Sequence, residues 1–111
     1  MAKRTKYNAK SVVVDGIRFP SIHESKRYRE LKLLEKAGQI RDLQLQVPFR
    51  LLDSQRIGGR VVERPVDYRA DFAYVQDGKY VVEDAKGVRT PEYVIKRKLM
   101  LWVHGIRVRE V

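Results

Sequence analysis

Residues 71–86 read DFAYVQDGKYVVEDAK, two β-rich runs joined by Asp77-Gly78 with an aspartate near each outer end. Asp-Gly between apolar runs is a strong signal for a two-residue type I′ hairpin turn, because both turn positions require positive φ. Such a turn pairs Gln76 with Lys79, Val75 with Tyr80 and Ala73 with Val82. Carried outward, the same register sets Asp71 opposite Asp84 and Arg69 opposite Lys86, whereas a bulge would shift it by one residue. Directly opposed residues share a face, and like charges there destabilise the pair. Period-two alternation puts Lys86 on the face of Asp84 and sends Glu83 to the other. The patch is therefore two carboxylates and an ammonium, with two readings. One is a structural ion triad. The other is a hard-cation site in which Asp71, Asp84, a backbone carbonyl such as that of Ala85, and waters hold Mg²⁺.

Working outward, SVVVDGIRF (11–19) has the same Asp-Gly signature and predicts a small first hairpin. Residues 21–38 predict a helix with Ser21 as N-cap and Gly38 as its stop. IRDLQLQVPFRLL (40–52) alternates as a strand with Leu43, Leu45 and Val47 on one face, and Pro48 bends it or places it near an edge. DSQRIGGR (53–60) reads as a polar, flexible loop near the partner. A second helix runs from Thr90 as N-cap, with Pro91 at its first position, to Gly105, and IRVREV closes the chain as a strand. On that helix Ile95, Leu99 and Trp102 line up as core. The expected class is α/β (α+β): helix, three strands, helix, strand, behind an N-terminal hairpin. A basic tail (1–10) precedes one domain (11–111).

Composition bounds the function. The chain of 111 residues has no cysteine, which excludes disulfides and thiolate zinc sites and suits a reducing, cytoplasmic setting. Its apolar runs are too short for a membrane span or a signal peptide. The 24 Lys and Arg against 14 Asp and Glu leave a net charge of +10, which suits a polyanionic partner, nucleic acid above all. The cations expected to meet phosphate are Lys3, Arg4 and Lys6 of the tail, Arg56 and Arg60 of the loop, Arg69, and Lys96, Arg97 and Lys98 of the second helix. A charge run on a helix is more often a solvated face. His23 and His104 lack partners at ligand spacing and read as structural.

The first helix supplies a third acid. Glu24, Tyr28 and Leu31 follow the i, i+4, i+7 pattern, so Glu24 lies on the inward flank. Ser21-Ile22-His23-Glu24 is also a capping box, in which Glu24 would reach back to the Ser21 amide. The cap and a metal-site role weigh equally and are compatible through a bridging water. Glu30 is the runner-up on this helix.

A helix-borne Glu24, Asp71 on one strand and Asp84-Ala85-Lys86 on the next, followed by Gly87, resembles the PD-(D/E)XK nuclease superfamily and its restriction-endonuclease-like core. FPSIHESKRYRELKLLEKAGQIRDLQLQ, YRADFAYV and VVEDAKG resemble more closely small phage-associated proteins related to Holliday junction resolvases. Ala70 stands where the superfamily name has proline, a variable position, and Glu83 lacks the acid-x-lysine spacing that Asp84 has.

The resemblance implies Glu24, Asp71, Asp84 and Lys86 as catalytic residues of a metal-dependent DNA endonuclease. Asp71, Asp84, Ala85 and Glu24 would hold Mg²⁺, with Mn²⁺ as a substitute. Lys86 would orient the attacking water, and Gln46 resembles a frequent polar neighbour of such sites. It further implies a substrate of branched or four-way DNA, a homodimer to which the VVVDGIRF hairpin contributes, and a phage or prophage origin in a bacterial cytoplasm. A nicking or restriction-type nuclease, a non-catalytic DNA-binding module and an RNA-associated structural protein are the alternatives.

Overall fold

Residues 10–86 and 88–111 are described by the computed structural model. The first hairpin pairs β1 (Val12–Val14) with β2 (Ile17–Phe19), and Asp15 and Gly16 both take the positive φ of a type I′ turn, 54° and 76°. Helix α1 (Ile22–Lys36) follows, capped by the Ser21 hydroxyl, which accepts from Glu24 N–H at 3.1 Å. Its inner flank buries Glu24, Ser25, Tyr28 and Leu31, the face that the 3.6-residue period predicts.

Four strands form the main sheet in the order β3 (Arg41–Leu52), β6 (Val66–Gln76), β7 (Lys79–Asp84), β8 (Arg109–Glu110). The first two contacts are antiparallel and β7–β8 is parallel. A parallel neighbour needs a crossover, here supplied by α2 (Pro91–His104) between β7 and β8. Thr90 caps α2 and Gly105 ends it in the left-handed region. The architecture is the expected α+β arrangement, and β3 lies at an edge, one of the two readings of Pro48. The terminal strand is shorter than the segment IRVREV suggested.

Segment 53–60 differs from expectation. It forms most of a third hairpin, β4 (Gln55–Ile57) with β5 (Arg60–Glu63), turning at Gly58-Gly59. Its β-branched residues recur at Ile57, Val61 and Val62, all exposed, so the pairing stabilises a projecting ribbon and buries no core.

Two apolar clusters flank the sheet. One gathers Phe19, Tyr28, Leu31, Ile40, Phe72 and Tyr74 under α1. The other packs Leu51, Tyr68, Ala70, Ala73, Val82 and Val108 against Tyr93 and Met100 of α2. Adjacent Val81 and Val82 serve different clusters, as a strand covered on both faces must.

The expected single face of β3 splits between them. Leu43 and Leu45 join the α1 cluster, and Val47 joins the α2 cluster. On β6 the same change falls between Ala70 and Phe72. Leu45 pairs Phe72 and Val47 pairs Ala70, so Gln46 and Asp71 stand at the switch. Gln46 has φ 53°, an uncommon conformation for a residue other than glycine, and it rotates the strand there.

The helix α2 also turns differently. Tyr93 and Met100 are buried while Ile95 and Trp102 are exposed, Trp102 by 81%. Tyr93, Arg97 and Met100 have the same i, i+4, i+7 spacing as Ile95, Leu99 and Trp102, so periodicity fits both stripes. Tyr93 and Met100 join the buried cluster of Leu51, Tyr68, Ala70, Ala73, Val82 and Val108. Trp102 lies about 200° around the helix from Met100.

Candidate functional site

The second hairpin keeps the predicted register from Gln76↔Lys79 out to Phe72↔Glu83, and Asp77 and Gly78 take the left-handed turn. Backbone pairing ends there. The β6–β7 ladder includes neither Asp71 with Asp84 nor Arg69 with Lys86. Beyond its last pair the Asp71 side chain makes the contact between the strands, its Oδ2 accepting the Ala85 N–H at 2.9 Å. The Ala85 N–H is thus engaged by Asp71, which leaves its carbonyl, the group the sequence pattern offered as a cation ligand, a separate acceptor.

The acids nonetheless meet. Gln46 Nε2 lies 3.4 Å from Asp71 Oδ1 and 3.3 Å from Glu24 Oε2, a long, weak bridge between β6 and α1. Only half of the capping box forms among the described residues: Ser21 caps the Glu24 N–H, and the Glu24 carboxylate turns to Gln46. Burial pushes the Glu24 carboxyl up to about 7, with Asp71 and Asp84 adding repulsion and Lys86 opposing it. Burial likewise raises Asp71 to about 6, with Asp84 adding to the rise and the Ala85 N–H and Gln46 working against it.

Asp84 is almost wholly enclosed. Its Oδ2 accepts the Tyr68 hydroxyl at 2.5 Å, while its Oδ1 is buried without a hydrogen-bond partner among the described groups. The nearest cation, Lys86 Nζ, is 3.7 Å from that oxygen and 4.9 Å from the centre of the Tyr93 ring. Asp71, Asp84, Lys86, Tyr68, Tyr93 and Arg69 line one cleft of about 220 Å³, with Thr90, Glu92 and Lys96 at its α2 side. The donors are hard oxygens, suited to Mg²⁺ or a similar cation. Among the described residues, no three His, Cys, Asp or Glu side chains converge closely enough to form a ready metal-binding group.

The other predicted residues disperse. Lys96 reaches Glu92 at 3.7 Å beside the cleft. Lys98 and Arg97 line a separate hollow beyond α2. Arg56 and Arg60 sit on the projecting ribbon, where Arg56 donates to the Gly59 carbonyl. Glu30 is exposed and faces Arg27. Lys3, Arg4, Lys6 and Gly87 lie outside the described residues. His23 contacts the Val111 carbonyl and His104 that of Arg50, each at 2.8 Å, the structural roles expected of them.

Glu83 takes the opposite face, as alternation requires. Fully buried, it receives a bidentate Arg27 at 2.9 and 2.6 Å and a very short contact from the Tyr74 hydroxyl. Sequence reasoning missed Tyr68 and Tyr93. The available signal for Tyr68 was a tyrosine within a buried strand, whose hydroxyl must find a partner.

These features define an α+β domain carrying a cleft of carboxylates and lysine at the end of a mixed sheet. The chain belongs to the family described as "Protein of unknown function (DUF1064)", which it matches over residues 4–107. No curated protein and no solved structure matches it. Among the described residues, no helix is long and apolar enough to cross a membrane.

Proposed function

We propose that the protein is a Mg²⁺-dependent DNA endonuclease of the PD-(D/E)XK type that cuts branched DNA such as a four-way junction. The observation that carries this reading is Asp84 Oδ1, a buried carboxylate oxygen with no donor among the described groups, facing Lys86 across a cleft shared with Asp71. Leaving such an oxygen unsatisfied costs on the order of 1–3 kcal/mol or more, which a hard cation at the carboxylates would offset. Bound Mg²⁺ would supply Lewis-acid polarisation of the phosphoryl oxygen.

The side chains divide the remaining work. Asp71 and Asp84 offer the ligand oxygens, and the Ala85 N–H and Tyr68 hydroxyl fix their orientation. Lys86, held against the Tyr93 ring, orients the attacking water and meets the charge of the phosphate. Glu24, held beside Gln46 at the α1 side, would hold a metal-bound water or a second ion. Hydrolysis joins the water oxygen to phosphorus, breaks the bond to the 3′ oxygen and returns a proton to that oxygen, leaving 5′ phosphate and 3′ hydroxyl ends.

Paired cuts across a junction require two sites, so the reading includes a two-fold homodimer, with the exposed Val13 and Ile17 of the first hairpin as apolar surface for it. A phage or prophage origin and action in a bacterial cytoplasm belong to the same proposal. A DNA-binding module without catalysis is the second reading, favoured by the lack of a converged three-residue ligand group among the described residues.

The deciding experiment incubates the protein with four-way junction, duplex, single-stranded and flap DNA, with Mg²⁺ or with EDTA. Junction cleavage in Mg²⁺ alone is the expected result. Binding without cleavage under all conditions would replace the first reading by the second, and light scattering of a monomer on junction DNA would remove the resolvase assignment.

A further inference from the structure

Beyond the acid cleft, α2 and β8 enclose a larger hollow of about 650 Å³. Arg89, Arg97, Lys98, Arg107 and Arg109 line it, and Glu110 is the only carboxylate among its described lining residues. Glu110 organises this group. Its Oε1 receives Arg89 at 2.7 Å, and its Oε2 receives Arg97 at 2.9 Å and the Tyr93 hydroxyl at 2.8 Å. Those hydrogen bonds, from Arg89 first, hold the Glu110 carboxyl down to about 2, so it stays ionised and the two guanidinium groups stay fixed. Arg109 donates to the Tyr74 hydroxyl at 3.2 Å. Lys98 and Arg107 make no ion pair or side-chain hydrogen bond among the described residues.

The Arg109 guanidinium also lies 3.9 Å from buried Glu83 and is drawn to that side of the sheet. The other four cations around one carboxylate leave a positive excess in a concave surface, where the field is focused rather than spread into solvent. Three of the four are arginines, whose forked donors match phosphate oxygens better than lysine does.

The hollow adjoins the acid cleft through one side chain. Tyr93 lines the cleft and donates to Glu110 of the hollow. Its ring has Lys86 Nζ 4.9 Å from its centre and the Arg97 guanidinium carbon 5.9 Å from it.

We propose that this hollow is a phosphate-binding subsite that holds the backbone of a nucleic-acid strand beside the segment lying in the acid cleft. Its identity as a nucleic-acid site rests on the function proposed above, and the positive concavity itself does not. The Tyr93–Glu110–Arg97 contacts couple the two places, so a strand held by the arginines is presented to the cleft in a fixed register. Lys98 and Arg107 bind phosphate directly, and Glu110 is a positioning residue that acts through Arg89 and Arg97.

Binding in EDTA tests the subsite apart from catalysis. The double variant Lys98→Glu/Arg107→Glu changes two side chains without ion partners among the described residues, and its thermal melt should match that of the wild type. Its affinity for a fluorescent 20-nucleotide single strand should fall at least tenfold, and the slope of log K against log salt should shrink by about 1.4, roughly 0.7 for each of the two phosphates no longer neutralised. A charge-matched control, Lys26→Glu/Lys79→Glu, changes exposed residues on α1 and at the far end of β7 and should keep affinity within threefold.

Equal losses in both variants, or no loss in the first, would overturn the subsite. So would a wild type that does not bind the strand, or that binds poly-glutamate as tightly as DNA. An Asp84→Asn protein that binds normally but cuts nothing supports the subsite and the cleft together. A wild type that binds through the hollow yet never cuts leaves the subsite standing and removes only the nuclease reading.

Discussion

Replacing Asp71 by Asn tests the electrostatics of the cleft without any activity assay. Burial and Asp84 raise the Asp71 carboxyl from 3.8 to about 6. One pKa unit corresponds to about 1.4 kcal/mol, giving a ceiling near 3 kcal/mol, and solvent screening of this half-buried group reduces it to roughly 1–2 kcal/mol. The sign follows from the folded value lying above the unfolded one. The unfolded chain loses this proton first as pH rises, so the penalty is absent below about pH 4 and complete above about pH 6.

At pH 8 in EDTA, Asp71→Asn should therefore be the more stable protein, by about 1 kcal/mol once a disturbed Gln46 contact is allowed for. For a domain of this size, that raises Tm by about 4–8 °C. The variant amide oxygen can still accept the Ala85 N–H, and exposed Gln46 can turn its own amide over. Near pH 4 the advantage should disappear. About 10 mM Mg²⁺ should stabilise the wild type by roughly 1.4 kcal/mol for a Kd near 1 mM, and Asp71→Asn by less than half of that. Differential scanning fluorimetry at both pH values, with Asp77→Asn in the distant turn as control, reads all of these quantities. A variant that melts well below wild type in EDTA and still responds fully to Mg²⁺ would make Asp71 a structural carboxylate and refute the cation site.

Asp84→Asn and Lys86→Ala should each reduce junction cleavage to background while DNA affinity stays within threefold, since affinity comes mainly from cations outside the cleft; gel assays of cleavage and binding on the same samples check this. Arg27→Met, which leaves the fully buried Glu83 only the Tyr74 hydroxyl and Arg109 at 3.9 Å, should cost about 3 kcal/mol in urea denaturation, and adding Glu83→Gln should recover most of that loss. Trp102→Ser should change the stability of the protomer by less than about 0.5 kcal/mol, because the indole is exposed; a loss above about 2 kcal/mol in the same measurement would show the helix face to be wrong.

Local signals carried much of this architecture. Asp15-Gly16 and Asp77-Gly78 specify their turns because few residue pairs accept two successive positive φ values. Ser21, Thr90 and Gly105 end helices because the terminal N–H and C=O groups need partners within a residue or two. The register from Gln76↔Lys79 to Phe72↔Glu83 followed from the second turn, although the expected Asp71–Asp84 pairing beyond it did not form, and the burial of Glu24 followed from its place on the α1 stripe.

Choices between equally spaced alternatives belonged to the tertiary structure. Helical spacing admits two stripes on α2, and packing of the sheet-side cluster selects Tyr93 and Met100 over Ile95 and Trp102. Period-two alternation on β3 gave no sign of the left-handed Gln46, which divides Leu45 from Val47 and meets Asp71 where the strands change faces. Tyr68 and Tyr93 entered the site through hydrogen bonds to Asp84 and Glu110, 16 and 17 residues away along the chain. A local pattern fixes which conformations a segment tolerates; which of its faces is buried, and which distant donor reaches a given carboxylate, depends on surfaces that exist only after the chain has folded.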